Sequence, residues 1–293
     1  MLQTIQVGDL RVVAVTPDTP SAVQRPPLLL VHGFMVGAWW FERLQALLAE
    51  RGWSSWAVNL RGHDGRRWDG ALGRVTIADY VSDALAAARA LAAREGVARP
   101  IVVGHSMGGL IAQKVAEAGM ASAAVLLCPA PPRGIRWATL PILLAETRHL
   151  WSVVRSRPLA PRRVEFAHMN FNRIPRAEWD GLFARAVADS STAGSELLFS
   201  RVSVDESRVR CPMLVVTTSD DRFFPPAIGR RVAEKYGAEL LELEGHAHFL
   251  LFEPGWEEAA ARIERWLART ADSLAPPDLP VRTGAGRASG AVG

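Results

Sequence analysis

Ser106 lies in PIVVGHSMGGLIAQ, residues 100–113, between Gly104 and Gly108. A β-branched apolar run precedes it and a helical pattern follows it. A serine hydroxyl at such a strand-to-helix turn can attack a carbonyl carbon. The turn is tight and strained, so it lifts the oxygen clear of the sheet. Residues two before and two after the serine approach closely, which is why Gly104 and Gly108 carry no side chain. The helix that starts at once aims its first N–H groups and its positive dipole end at the serine oxygen. A hydroxyl is a poor nucleophile until a base takes its proton, and the base needs an acid to fix its tautomer. Downstream, GHAHFLLFEPG offers His246 and His248 as bases, and VVTTSDDRFFPP offers Asp220 and Asp221 as acids.

The segment VVGHSMGGLIA resembles the nucleophile elbow of the α/β-hydrolase fold family. LLLVHGF, VNLRGHDG, TTSDDRFFPP and GHAHFLLFEPG extend the resemblance over about residues 10–270, and it thins across 132–205. The resemblance implies a mostly parallel eight-stranded sheet with helices on both faces and a helical lid inserted after strand six. It implies a base five residues before the glutamate that precedes the last helix; His248 and Glu253 fit, His246 does not. It also implies an acid four residues before a proline; Asp221 and Pro225 fit, and Asp220 is one too far. The order Ser106, Asp221, His248 is the order expected of this fold.

The same resemblance implies an oxyanion hole made by the backbone N–H groups of Met107 and of Phe34, the residue after His32-Gly33. Two preorganised donors of this kind each contribute about 10²–10³ in rate. Gly33, Met35, Trp39 and His105 are the expected substrate-binding residues, with the Phe34 side chain facing the pocket. His32 is expected to orient its loop by hydrogen bonds and His63 to be structural, while His149 and His168 have no assigned role. The implied reaction is acyl transfer to water through an acyl-serine, as in a carboxylesterase-like serine hydrolase acting on small to medium hydrophobic esters. A thioesterase, lactonase or C–C bond hydrolase would use the same triad. A serine nucleophile argues against epoxide hydrolases and haloalkane dehalogenases. A histidine base predicts activity lost below a pH of about 6.5.

Apolar runs at 10–15, 26–33, 54–60, 101–105, 123–130, 211–219 and 238–245 read as strands, and helical patterns at 39–52, 77–96, 106–119, 226–237 and 255–270 separate most of them. Continuously apolar strands alternating with helices indicate an α/β fold whose parallel sheet is covered on both faces. Thr76 and Asp79 form a capping-box pattern at one helix start. The alternation stops between Pro131 and Arg210, a stretch rich in aromatics and arginine with no evident strand. The expected organisation is a core of residues 1–131 and 206–272, a helical cap over 132–205, and a Pro/Gly/Ala-rich disordered tail at 273–293.

Of the 293 residues, 49% are hydrophobic, enough for a sizeable core. The net charge of +4 is small and the arginines are scattered, so no nucleic-acid partner is expected. No 18-residue apolar run indicates a membrane span and no signal-peptide pattern opens the chain, so a cytoplasmic location is expected. The elbow glycines lack the G-x-G-x-x-G spacing, so no dinucleotide cofactor is expected. The His246-x-His248 pair lacks a third ligand at suitable spacing, so no metal is expected. Cys128 and Cys211 read as buried free thiols.

Overall fold

The computed structural model describes residues 1–18, 25–65, 72–138 and 150–274. Eight strands form one sheet: β1 (Leu2–Val7), β2 (Leu10–Val15), β3 (Leu28–Val31), β4 (Ser55–Val58), β5 (Ile101–His105), β6 (Ala123–Leu127), β7 (Met213–Thr218) and β8 (Glu239–Leu243). Their order is β1-β2-β4-β3-β5-β6-β7-β8, and only β2 runs against the others.

The apolar runs are continuous because both faces of the sheet are covered. Leu29, Val31 and Val102 enter one apolar layer, while Leu28, Leu30, Ile101 and Val103 enter the other. Each fully buried side chain of this kind contributes about 1.5–3 kcal/mol. α1 (Glu42–Glu50) and α9 (Trp256–Ser273) supply the second layer. α2 (Ile77–Glu95), α3 (Met107–Glu117) and α8 (Pro226–Tyr236) supply the first. α2 starts with the expected capping box: Thr76 Oγ1 accepts from the Asp79 N–H at 3.1 Å, and Asp79 Oδ2 accepts from the Thr76 N–H at 2.9 Å. The helix stops at Gly96, at φ 66°.

Three expectations are corrected. β1 was not read as a strand; it is an edge strand whose side chains are mostly exposed, so LQTIQV carries little apolar signal. The pattern at 39–52 opens as a 3₁₀ turn over Ala38–Phe41 before α1 begins. Between β6 and β7 no strand occurs among the described residues, as expected, and a single isolated antiparallel bridge joins Leu159 to Asp189. Cys211 is only half-buried, at the margin of the core before β7, whereas Cys128 is buried; both are free thiols.

Between β6 and β7 the described chain carries α4 (Leu150–Val154), α5 (Arg163–Asn170), α6 (Trp179–Phe183) and α7 (Ser191–Leu198). Its later part is tied to the core. The Ser190 hydroxyl donates to the Val75 carbonyl at 2.5 Å, and the hydroxyls of Ser191 and Thr192 donate to the Gly73 carbonyl at 3.1 and 2.8 Å. A Cβ on Gly73 would lie 2.0 Å from the Ser156 carbonyl oxygen, so the segment can pack there only against glycine. His149 and residues 275–293 of the expected tail lie outside the described residues. No helix among the described residues is long and apolar enough to cross a membrane.

Candidate active site

Ser106 closes β5 and opens α3, at φ 55° and ψ −118°. A non-glycine residue held there costs about 1–3 kcal/mol and persists only where its surroundings over-determine it. Here they do. The Ser106 N–H donates to the Leu127 carbonyl at 2.9 Å, and the Ser106 carbonyl accepts from Gly109 and Ala130 at 2.9 Å each. The glycines are sterically required. A Cβ on Gly104 would lie 2.1 Å from the Gly108 carbonyl oxygen, and one on Gly108 would lie 2.0 Å from that of Val31. Among the described residues, the Ser106 hydroxyl has no hydrogen-bond partner; bonds of this kind often form only when substrate binds.

His248 follows β8 and Asp221 follows β7, so both reach the end of the sheet where Ser106 sits. His248 Nδ1 lies 2.8 Å from Asp221 Oδ2, and both residues are buried. The other carboxylate oxygen, Oδ1, accepts from the N–H groups of Phe223 at 2.7 Å and Phe224 at 3.0 Å. These bonds fix the carboxylate plane and leave Oδ2 for the imidazole. Asp220 projects the other way, toward Arg173 and the Ser219 hydroxyl. The Ser219 hydroxyl bond, followed by the Arg173 bond and charge, holds its carboxyl below the usual range.

His246 does not join the pair. Its Nδ1 lies 3.4 Å from Glu253 Oε2, and that oxygen accepts from the Ala247 N–H at 2.7 Å. Glu253, the marker of the expected spacing, therefore pins the His246–Ala247 peptide, one residue ahead of His248. Rings surround the His248 imidazole, with Phe223 and His105 at 4.8 Å and Phe224 at 5.7 Å between centroids.

The loop after β3 touches the serine. A Cβ on Gly33 would lie 3.0 Å from Ser106 Cβ and 2.9 Å from His105 Nδ1. His32 orients this loop, as expected. Its Nε2 accepts from the Leu60 N–H at 3.2 Å, which leaves Nδ1 to donate to the Gly33 carbonyl at 2.8 Å. Burial, followed by the nearby His63 charge, pushes the His32 pKa down to about 3, so the ring is neutral. Among the described residues, neither the Phe34 N–H nor the Met107 N–H is donated to another group.

The expected substrate-binding residues divide. The Phe34 ring packs toward α7, where a Cβ on Gly194 would lie 3.1 Å from its Cζ. Met35 adopts φ 61° and is held at both ends: its N–H donates to Asp189 Oδ2 at 2.8 Å, and its carbonyl accepts from Val187 at 3.0 Å. Trp39 is half-buried between Phe252, at 5.7 Å, and the Arg185 guanidinium, at 4.4 Å. His105 is 1% exposed. It stacks on Trp40 at 3.7 Å, and its Nε2 donates to the His248 carbonyl at 3.0 Å. Strand alternation explains its position: residue 105 shares its face with Ile101 and Val103, the face that Trp40 covers.

Two residues gain partners that spacing did not reveal. His63 Nε2 lies 2.9 Å from Asp189 Oδ2, and His168 Nδ1 lies 3.1 Å from an Arg222 nitrogen. Asp189 itself carries no local signal except the Asp-Ser-Ser run at the start of α7. Cys128, Asp221 and His248 bring one ligand atom each within 4.8 Å of one another. A soft cation there would have to separate Asp221 from His248.

A family profile described as "Alpha/beta hydrolase family" matches residues 28–279. Among solved structures, a monoacylglycerol lipase from Paleococcus ferrophilus is similar, with a TM-score of 0.69 and 21% identity over 89% of this chain and 99% of that one. An esterase from Exiguobacterium antarcticum is similar with a TM-score of 0.69 and 16% identity, over 92% and 100%. A thermophilic esterase from Thermogutta terrifontis is similar with a TM-score of 0.67 and 16% identity, over 92% and 99%.

Proposed function

The chain belongs to the alpha/beta hydrolase family, and on that premise we propose that it is a serine hydrolase of carboxylic esters. The observation that carries the reading is the buried His248–Asp221 bond, at the end of the sheet that also holds a strained serine between obligatory glycines.

In the proposed reaction His248 Nε2 takes the proton of Ser106 Oγ as that oxygen bonds to the ester carbonyl carbon. The carbonyl π electrons move to the former carbonyl oxygen, which the Phe34 and Met107 N–H groups receive. Collapse of this intermediate breaks the bond to the alcohol oxygen, and His248 returns the proton to it. Water then repeats the sequence on the acyl-serine. Asp221 holds the imidazole in the tautomer with Nδ1 protonated and stabilises the imidazolium that forms. His105 supports His248 from below rather than touching substrate.

We assign the chain between β6 and β7 as a cap over this site. Contacts near the base support that reading: Phe171 lies 5.4 Å from Phe249, the neighbour of His248, and Trp137 lies 4.9 Å from Phe224. Aromatic and sulfur-bearing side chains around the site, Phe34 and Met35 among them, suit a small to medium hydrophobic ester. The test is a chain-length series of p-nitrophenyl esters set beside the matching acyl-CoA thioesters. The proposal expects kcat/KM to favour the oxygen esters and turnover to vanish in Ser106→Ala. Preference for the thioesters would move the assignment to a thioesterase on the same triad.

A further inference from the structure

Asp189 belongs to the segment between β6 and β7, yet its carboxylate is built into the loop after β3. Oδ2 accepts from the Met35 N–H at 2.8 Å and from His63 Nε2 at 2.9 Å. Oδ1 accepts from the Tyr80 hydroxyl and from the Ser190 N–H, both at 2.6 Å. Four donors saturate the two oxygens, and both the Asp189 and His63 side chains are 0% exposed.

The pair is ionic. His63 Nδ1 faces the Arg61 carbonyl at 3.0 Å and Nε2 faces a carboxylate, so both nitrogens must donate and the ring must carry two protons. Burial opposes that charge, but the Asp189 charge and hydrogen bond outweigh it and hold the His63 pKa above its ordinary value. His32, the other ring against His63 at 4.9 Å, is neutral, and Tyr80 donates as a neutral phenol. A buried ion pair is a poor choice for stability alone, because well-packed apolar side chains often do as well.

What the carboxylate holds is specific. His32 Nδ1 fixes the Gly33 carbonyl, and with it the plane of the Gly33–Phe34 peptide that carries the Phe34 N–H. Asp189 fixes the next peptide through the Met35 N–H, and Met35 is a non-glycine residue at positive φ that would otherwise relax. Two successive peptides are thus clamped, and His63 touches both clamps.

We propose that Asp189, with His63 as its counter-charge, is a positioning residue that holds the Phe34 peptide in line for the oxyanion. The proposal rests on the reading of Phe34 as an oxyanion donor. The experiment compares Asp189→Ala and Asp189→Asn with the wild type, using p-nitrophenyl butyrate and an alkyl trifluoromethyl ketone, which forms a reversible tetrahedral adduct with a serine.

In Asp189→Ala, kcat is expected to fall about 10²-fold, the scale of a lost oxyanion donor. The ketone inhibition constant should rise in parallel while KM changes less than about threefold. Asp189→Asn keeps an acceptor for Met35 but no charge for His63, and is expected to lose about tenfold in both quantities. A folded variant whose kcat and ketone affinity stay within about twofold of wild type overturns the proposal, even if its Tm falls. Should the alanine variant fail to fold, the asparagine variant decides on the same two readouts. Ser106→Ala, run alongside, separates the two readings: full turnover there removes the serine assignment itself. Loss there, with unchanged Asp189 variants, overturns only the positioning role.

Discussion

His248 Nδ1 sits 2.8 Å from Asp221 Oδ2, while the other oxygen of that carboxylate is occupied by the N–H groups of Phe223 and Phe224. The carboxylate therefore has one orientation, and the imidazole it holds has one tautomer.

Asp221→Asn should lower kcat on p-nitrophenyl butyrate by about 10⁴-fold, because an amide at that position favours the wrong tautomer. Asp220→Asn should leave kcat within about threefold of wild type, since Asp220 faces Arg173 instead. Steady-state kinetics on the two variants checks the assignment of adjacent residues. Equal losses would mean that the acid is shared or misassigned.

Gly108→Ala should cost about 3 kcal/mol or more in unfolding free energy, because its methyl group would meet the Val31 carbonyl oxygen at 2.0 Å. Gly119→Ala is the control: a Cβ there meets nothing within 4 Å, and the cost is confined to its φ of 72°, about 1 kcal/mol. Urea denaturation of both variants gives the comparison, and equal midpoints would contradict the steric account.

The His63–Asp189 pair predicts a pH-dependent stability. His63 has a raised folded pKa, so its contribution is complete below its unfolded value of about 6.5 and fades as pH rises through the folded value. Asp189 is affected first by burial, which works to raise its pKa. The His63 charge and the bonds to the carboxylate more than reverse this, so its contribution is lost as pH falls through a lowered folded value. Removing one partner of such a pair costs about 3–5 kcal/mol. The urea-midpoint gap between wild type and His63→Gln should be widest near pH 5–6 and should narrow toward alkaline pH. A gap that widens as pH rises would refute the ionic pair.

Burial pushes the Cys128 thiol well above its ordinary pKa and the Cys211 thiol up to about 11. Reactivity follows the thiolate, so iodoacetamide at pH 8 should leave both cysteines unmodified in the native protein and label both after denaturation. Intact-protein mass measurement checks this. Native alkylation at Cys128 with loss of activity would show that the wall beside Asp221 opens.

The elbow was legible because sterics wrote it into the sequence: only glycine fits at 104 and 108, and the strand before it is apolar on both faces. His248 and Asp221 were legible only through their spacing to Glu253 and Pro225. The structure supplies a physical basis for the first, since Glu253 holds the Ala247 N–H. β1 was hidden because an exposed edge strand needs few apolar residues. Asp189 was hidden because its contact with Met35 spans 154 positions, a separation that no local pattern encodes. The placement of the His105 ring was not legible from its serine neighbour, because strand alternation turns the ring into the layer with Trp40.

The central claim is that the hydroxyl of Ser106 is the group activated by His248. Incubation with a fluorophosphonate followed by peptide mass mapping tests it most directly. The account predicts a single phosphonyl adduct, on Ser106, that is absent in Ser106→Ala and slowed at least about 10²-fold in His248→Ala. An adduct on any other residue, or undiminished ester turnover by Ser106→Ala, would contradict it.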